Sequence, residues 1–127
     1  AVTNKELLAL INKAANEQWE ELYLSNNQIS ALPPEIAQLS SLQVLYLSDN
    51  QISALPPEIA QLSSLQQLYL SNNQISALPS EIAQLSSLQN LELYNNPLKL
   101  LPVALIPLES TFSNANKREK TPSMKPN

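Results

Sequence analysis

The chain contains no glycine, no cysteine and no histidine. Without glycine there is no GxxxxGK[ST] phosphate loop, no GxGxxG dinucleotide turn and no GxSxG nucleophile elbow, because each of these needs a residue without a side chain. Nucleotide chemistry is therefore not expected. Without histidine or cysteine there is no Ser–His pair, no thiolate nucleophile and no nitrogen or sulfur ligand set for zinc. Carboxylates are the only plausible catalysts left, and no metal or cofactor is expected. No NxS/T sequon occurs, and no apolar run approaches the ~20 residues needed to cross a bilayer.

Cationic residues are also scarce over most of the length. Residues 22–111 carry Glu35, Asp49, Glu58, Glu81, Glu92 and Glu109 against Lys99 alone, whereas Lys117, Arg118, Lys120 and Lys125 outnumber Glu119 after Phe112. An acidic body is a poor match for nucleic acid, which requires clustered Lys and Arg on the binding face, so no nucleic-acid partner is expected. The basic end reads as a solvated terminus. At 127 residues and 43% hydrophobic content, the chain suits one soluble domain with one core.

What is present is repetition. LYLSNNQISALPPEIAQLSSLQ begins at Leu22 and recurs almost unchanged from Leu45 and from Leu68, a period of 23 residues. A period of this length marks a small unit that cannot bury its own apolar face and must stack on its neighbours. The three copies differ only at Asn26/Asp49/Asn72, Pro34/Pro57/Ser80 and Val44/Gln67/Asn90. Natural solenoids usually drift further, so the copies point to recent duplication or to a consensus design. Extracellular repeat proteins of this size often close their ends with disulfides, which this chain cannot form, and no charged-then-apolar leader opens it; both features point to the cytoplasm.

Residues 3–18 read as an amphipathic helix capping the stack. Thr3 and Glu6 have capping-box spacing, and Leu7, Leu8, Ile11, Ala14 and Ala15 fall on one face. Trp19 shares the register of Leu42, Leu65 and Leu88, which assigns it to the core.

Each unit has two halves. Leu22-Tyr23-Leu24-Ser25 alternates with period two, as in a strand with its leucines inward. In ALPPEIAQLSSL the prolines lack backbone donors and suit the first positions of a short helical turn, with Ile36 and Leu39 on one side. Asn27, Asn50, Asn73 and Asn96 occupy the inward position where each strand ends. A polar group there costs roughly 1–3 kcal/mol unless bonded, so these amides are expected to form a structural ladder to loop backbone.

The pattern LxxLxLxxNxIxxLPxxIxxL, intact over residues 19–90, resembles the leucine-rich repeat family. A degraded fourth unit keeps register at Leu91, Leu93, Asn96, Leu98, Leu101, Pro102, Leu105 and Leu108, with Thr111 in place of leucine. The 23-residue unit with LPxxI is similar to the repeats of intracellular Ras-binding scaffolds and of bacterial Roco-type GTPases, and ELLALINKAANEQWEELYLS is similar to the caps of such bacterial proteins. The resemblance implies an α/β solenoid: a curved horseshoe segment with a parallel concave sheet, short convex helical turns and an N-terminal capping helix. It implies a binding role only, because the GTPases carry nucleotide chemistry in a later domain. The expected organisation is a cap and lead-in over 1–21, repeats over 22–112 and a flexible tail over 113–127, whose composition cannot bury a core.

The outward strand positions form three columns: Glu21, Val44, Gln67, Asn90; Tyr23, Tyr46, Tyr69, Glu92; and Ser25, Ser48, Ser71, Tyr94. Tyrosine combines a rigid face with a polar tip, which suits protein recognition. Val44, Gln67, Asn90, Tyr23, Tyr46, Tyr69, Glu92 and Tyr94 are the expected partner-binding residues. Tyrosine is also a good strand former that duplication copies with its unit. Glu35, Glu58 and Glu81 follow proline on the convex turns, where a carboxylate favours a helix N-terminus, and do not face one another across a cleft as a glycosidase pair would. The sequence reading is a monomeric module, not an enzyme, that binds a protein or peptide on its concave face. Its alternative is a structural or engineered repeat scaffold without a dedicated partner.

Overall fold

In the computed structural model, described over residues 1–99, helix α1 (Asn4–Asn16) leads into four three-residue strands: β1 (Glu21–Tyr23), β2 (Val44–Tyr46), β3 (Gln67–Tyr69) and β4 (Asn90–Glu92). Three 3₁₀ turns, Pro34–Gln38, Pro57–Gln61 and Ser80–Gln84, separate them. The strands pair in parallel in chain order, and the register places Leu22, Leu45, Leu68 and Leu91 side by side. One repeat of 23 residues thus advances the chain by one strand. The fourth unit beyond Lys99 and the expected tail over 113–127 lie outside the described residues.

Period-two alternation places Leu22 and Leu24 inward at 1% exposure, with Tyr23 outward. The opposite wall comes from the 3₁₀ turns, whose Ile36, Ile59 and Ile82 are fully buried. Each turn begins where a proline's fixed φ prepares it: Pro33, Pro56 and Pro79 precede the turns at φ −75°, −72° and −67°. A helical turn is wider than an extended strand, so strands on one side and turns on the other curve the stack into a leucine-rich solenoid with the sheet on its concave side.

The left-handed corner explains how a glycine-free chain turns. Asn26, Asp49, Asn72 and Asn95 all lie at φ 58–59°, just after each strand. Asn and Asp are the residues other than glycine that most readily enter this region. The first of the three variable positions therefore varies only between residues that its backbone accepts.

Helix α1 starts as its capping box requires, with the Thr3 hydroxyl accepting from the Glu6 N–H at 3.0 Å and the Glu6 carboxylate accepting from the Thr3 N–H at 2.9 Å. It buries Leu7, Ile11 and Ala14 and packs on the first 3₁₀ turn. Leu8, expected on that face, is half-buried and lines a shallow groove of about 290 Å³ with Leu32 and Pro33. The helix ends two residues before the expected boundary, in a Schellman arrangement: Trp19 N–H donates to the Ala14 carbonyl at 3.0 Å and Gln18 N–H to the Ala15 carbonyl at 3.2 Å. Trp19 is half-buried at this junction rather than fully in the core, and its indole N–H donates to Glu17 Oε1 at 3.0 Å. A buried indole needs such a polar partner, which its leucine equivalents do not.

Gln18 carries the left-handed residue of this motif at φ 56°, a position glycine normally fills. Gln18→Gly is expected to raise stability by about 1 kcal/mol, through relief of the Cβ penalty at positive φ. A raised urea midpoint checks this, and a lowered midpoint would show that the Gln18 side chain contributes more than its backbone costs.

Candidate functional site

The in-register sheet builds two distinct polar arrays, one facing the core and one facing out. Inside, Asn50 Oδ1 accepts from the N–H groups of Asn27 and Ile29, both at 2.9 Å, while its Nδ2 donates to the carbonyls of Leu24 and Leu47 at 3.0 Å. Asn73 repeats the scheme with Ile52 N–H, Leu47 O and Leu70 O, and Asn96 with Ile75 N–H, Leu70 O and Leu93 O. Each amide thus joins its own strand end to the corner of the preceding repeat. Asn27 departs from this arrangement. Helix α1 rather than a repeat precedes it, and among the described residues its amide donates only to the Ser25 carbonyl, at 3.2 Å, and the residue is half-buried.

On the outer face the register aligns Tyr23, Tyr46 and Tyr69, ending at Glu92. The rings are stacked: Tyr23 and Tyr46 lie 4.4 Å apart between centroids at 8°, and Tyr46 and Tyr69 lie 5.2 Å apart at 13°. Strand spacing alone sets such contacts, because identical residues in adjacent parallel strands meet at about 4.8 Å. The stack is graded in exposure, from 65% at Tyr23 to half-buried at Tyr46 and Tyr69.

Two hydroxyl partners were not anticipated from the sequence. The Tyr23 hydroxyl donates to Glu21 Oε1, and the Tyr69 hydroxyl donates to Gln67 Oε1. Both pairs are two apart on one strand and so share a face, which the period of two could have revealed. The hydrogen bond to the Glu21 carboxylate is the main reason that the Tyr23 phenol is pushed up to about 12, since ionising it would set two negative charges together. Burial and then the nearby Glu92 charge raise the Tyr69 phenol, and burial raises the Glu92 carboxyl above the usual range.

The remaining expected residues divide. Gln67 and Asn90 are half-buried in the first column, and Tyr94 is 38% exposed in the third. Val44 corrects the expectation of an outward contact residue: it is only 9% exposed, although it is not part of the leucine core cluster. A short apolar side chain between longer neighbours in an in-register column is covered by them. Ser71 is also buried, its hydroxyl accepting from the Tyr94 N–H at 3.2 Å. Among the described residues no group of three or more Asp and Glu side chains could hold a metal ion, and no helix is long and apolar enough to cross a membrane.

Residues 20–99 match the family described as a leucine-rich repeat region. Among solved structures, a leucine-rich repeat protein of Leptospira interrogans is 45% identical, with a TM-score of 0.66 over 72% of this chain and 23% of that one. The leucine-rich repeat domain of a Shigella effector is 26% identical, with a TM-score of 0.65 over 78% of this chain and 41% of that one. The chain therefore spans less than half the length of either structure. Comparison with curated proteins gives no significant match. Leucine-rich repeat domains generally mediate protein–protein interaction. With the repeat signature, parallel ladder and 3₁₀ turns all within the matched region, the chain belongs to the leucine-rich repeat family, in a form similar to bacterial members.

Proposed function

We propose that this module binds a protein or peptide on the concave face of its sheet, with Tyr23, Tyr46 and Tyr69 as the main contact and Gln67, Asn90, Glu92 and Tyr94 around it. The carrying observation is the tyrosine stack: three rings held in register outside the core, on the face that an incoming chain can reach. Pre-stacked rings lose little side-chain entropy on binding, the cost that most often weakens an interface. The module acts as a cytoplasmic monomer without catalysis, and its acidic strands disfavour nucleic acid. Four strands at about 4.8 Å span less than 20 Å, so the footprint lies near the lower limit of a standard interface, ~800 Å² per partner.

Tyr46 is the central ring, and central aromatics tend to dominate interface energy. Tyr46→Ala is expected to weaken binding of a captured partner by roughly 1–3 kcal/mol. Because Tyr46 is half-buried between two rings, the substitution also costs about 1 kcal/mol of stability, which thermal unfolding measures separately. Glu58→Ala, on the convex 3₁₀ turn, serves as the control and leaves affinity unchanged. If Glu58→Ala abolishes capture while Tyr46→Ala does not, the active surface is convex. A chain that captures nothing in either form fits the alternative of a scaffold without a dedicated partner.

A further inference from the structure

The tyrosine stack has one open ring, and the strands that carry it have no positive charge. Tyr46 covers one side of Tyr23, but no strand precedes β1, and Tyr23 remains 65% exposed. Its hydroxyl is held by the exposed Glu21 carboxylate, so an electron-rich ring and a full negative charge sit side by side. At the far end of the stack, half-buried Glu92 has no hydrogen-bond or ion-pair partner for its carboxylate among the described residues. Not one Lys or Arg occurs between Trp19 and Leu98. A carboxylate partly removed from water, with no Lys or Arg on any of the four strands, is complemented by a charge brought from outside the sheet.

We propose that the occupant of the concave face is an extended basic peptide. One cationic side chain, best a planar guanidinium, lies on the open face of Tyr23 and pairs with Glu21; a second reaches Glu92. The inference rests on the concave-face reading above and adds the chemistry of the partner. Cations are drawn to the face of an aromatic ring, and guanidinium additionally stacks flat on it. Hydrogen bonding of the phenol to a carboxylate enriches the ring and strengthens that attraction. Spacing follows from the sheet. β1 and β4 are three strand spacings apart, about 14 Å, which an extended chain crossing the sheet covers in about four residues. The two cations are therefore four positions apart in the partner.

The test uses the full chain and three fluorescein-labelled decapeptides of alternating Ala and Ser. One carries Arg at its third and seventh positions, one carries the uncharged isostere citrulline there, and one carries Glu. By fluorescence anisotropy at low salt, the arginine peptide is expected to bind about tenfold tighter than the citrulline peptide, a ratio of 1.4 kcal/mol. Its affinity falls as salt is raised. Glu21→Gln and Tyr23→Leu each weaken it by about fivefold, Tyr23→Phe retains most of it because the ring remains, and convex Glu58→Gln has no effect.

The proposal is overturned if the citrulline or glutamate peptide binds as tightly as the arginine peptide. In that case sensitivity to Tyr46→Ala shows that the concave reading survives with a different partner chemistry. Arginine-peptide binding that is lost with Glu58→Gln but indifferent to both Glu21→Gln and Tyr46→Ala overturns this proposal and the concave reading together. Absence of binding by all three peptides overturns the basic-peptide assignment, with the capture experiment deciding the face independently.

Discussion

Asn50→Leu is expected to lower the stability of the chain by about 3–5 kcal/mol, among the largest effects available to a single polar substitution. The leucine fits the site by size, so the loss is not one of packing. It leaves the N–H groups of Asn27 and Ile29 and the carbonyl of Leu24 without the partner that holds them at 2.9–3.0 Å, and the Leu47 carbonyl with its bond from Asn73 alone. Asn50 is 7% exposed, so water replaces those bonds only if the corner opens. Asn27→Leu should cost less than about 1 kcal/mol, because a half-buried amide with one 3.2 Å bond is lost. Asn95→Leu is intermediate at about 1–2 kcal/mol: its side chain is exposed, but its φ of 58° penalises leucine. Urea unfolding of the three variants gives the order directly, and equal losses for Asn50 and Asn95 would mean that the amides do not hold the repeats together.

Deleting residues 1–18 is expected to make the chain aggregate. Helix α1 covers the first repeat, where Leu22, Leu24, Ile29, Leu32 and Ile36 are all at most 5% exposed. Without it, bare leucine core lies beside the unpaired edge of β1, the combination that recruits further copies. Size-exclusion chromatography reads the outcome, and a soluble monomer would show that α1 is not a cap. Ile11→Ala in the intact chain isolates the packing component, since Ile11 is fully buried in the joint, and should cost about 2–4 kcal/mol.

Repetition made much of this fold legible. A 23-residue period implies strands in parallel register one repeat apart, because identical units bury identical leucines only when they stack without slippage. The capping box, the inward leucines and the proline-initiated turns follow from local rules and stand where the spacing puts them. Local rules did not reach the left-handed corners, since Asn or Asp at positions 26, 49, 72 and 95 permits a φ of 58–59° without requiring it. Nor did they reach Trp19, whose register matches leucine but whose indole must satisfy an N–H.

Sequence by itself determined the family, the period, the faces of each strand and the charge of the concave surface, all of which depend on residue identity and spacing along one chain. Tertiary structure alone decided three things about neighbours across repeats: that Val44 is covered, that Asn27 lacks the partners its three equivalents have, and that the tyrosines stack as a column with one open end. Each depends on whether a repeat lies on one side or both, and a repeating sequence assigns equal status to units that the ends of a finite stack make unequal.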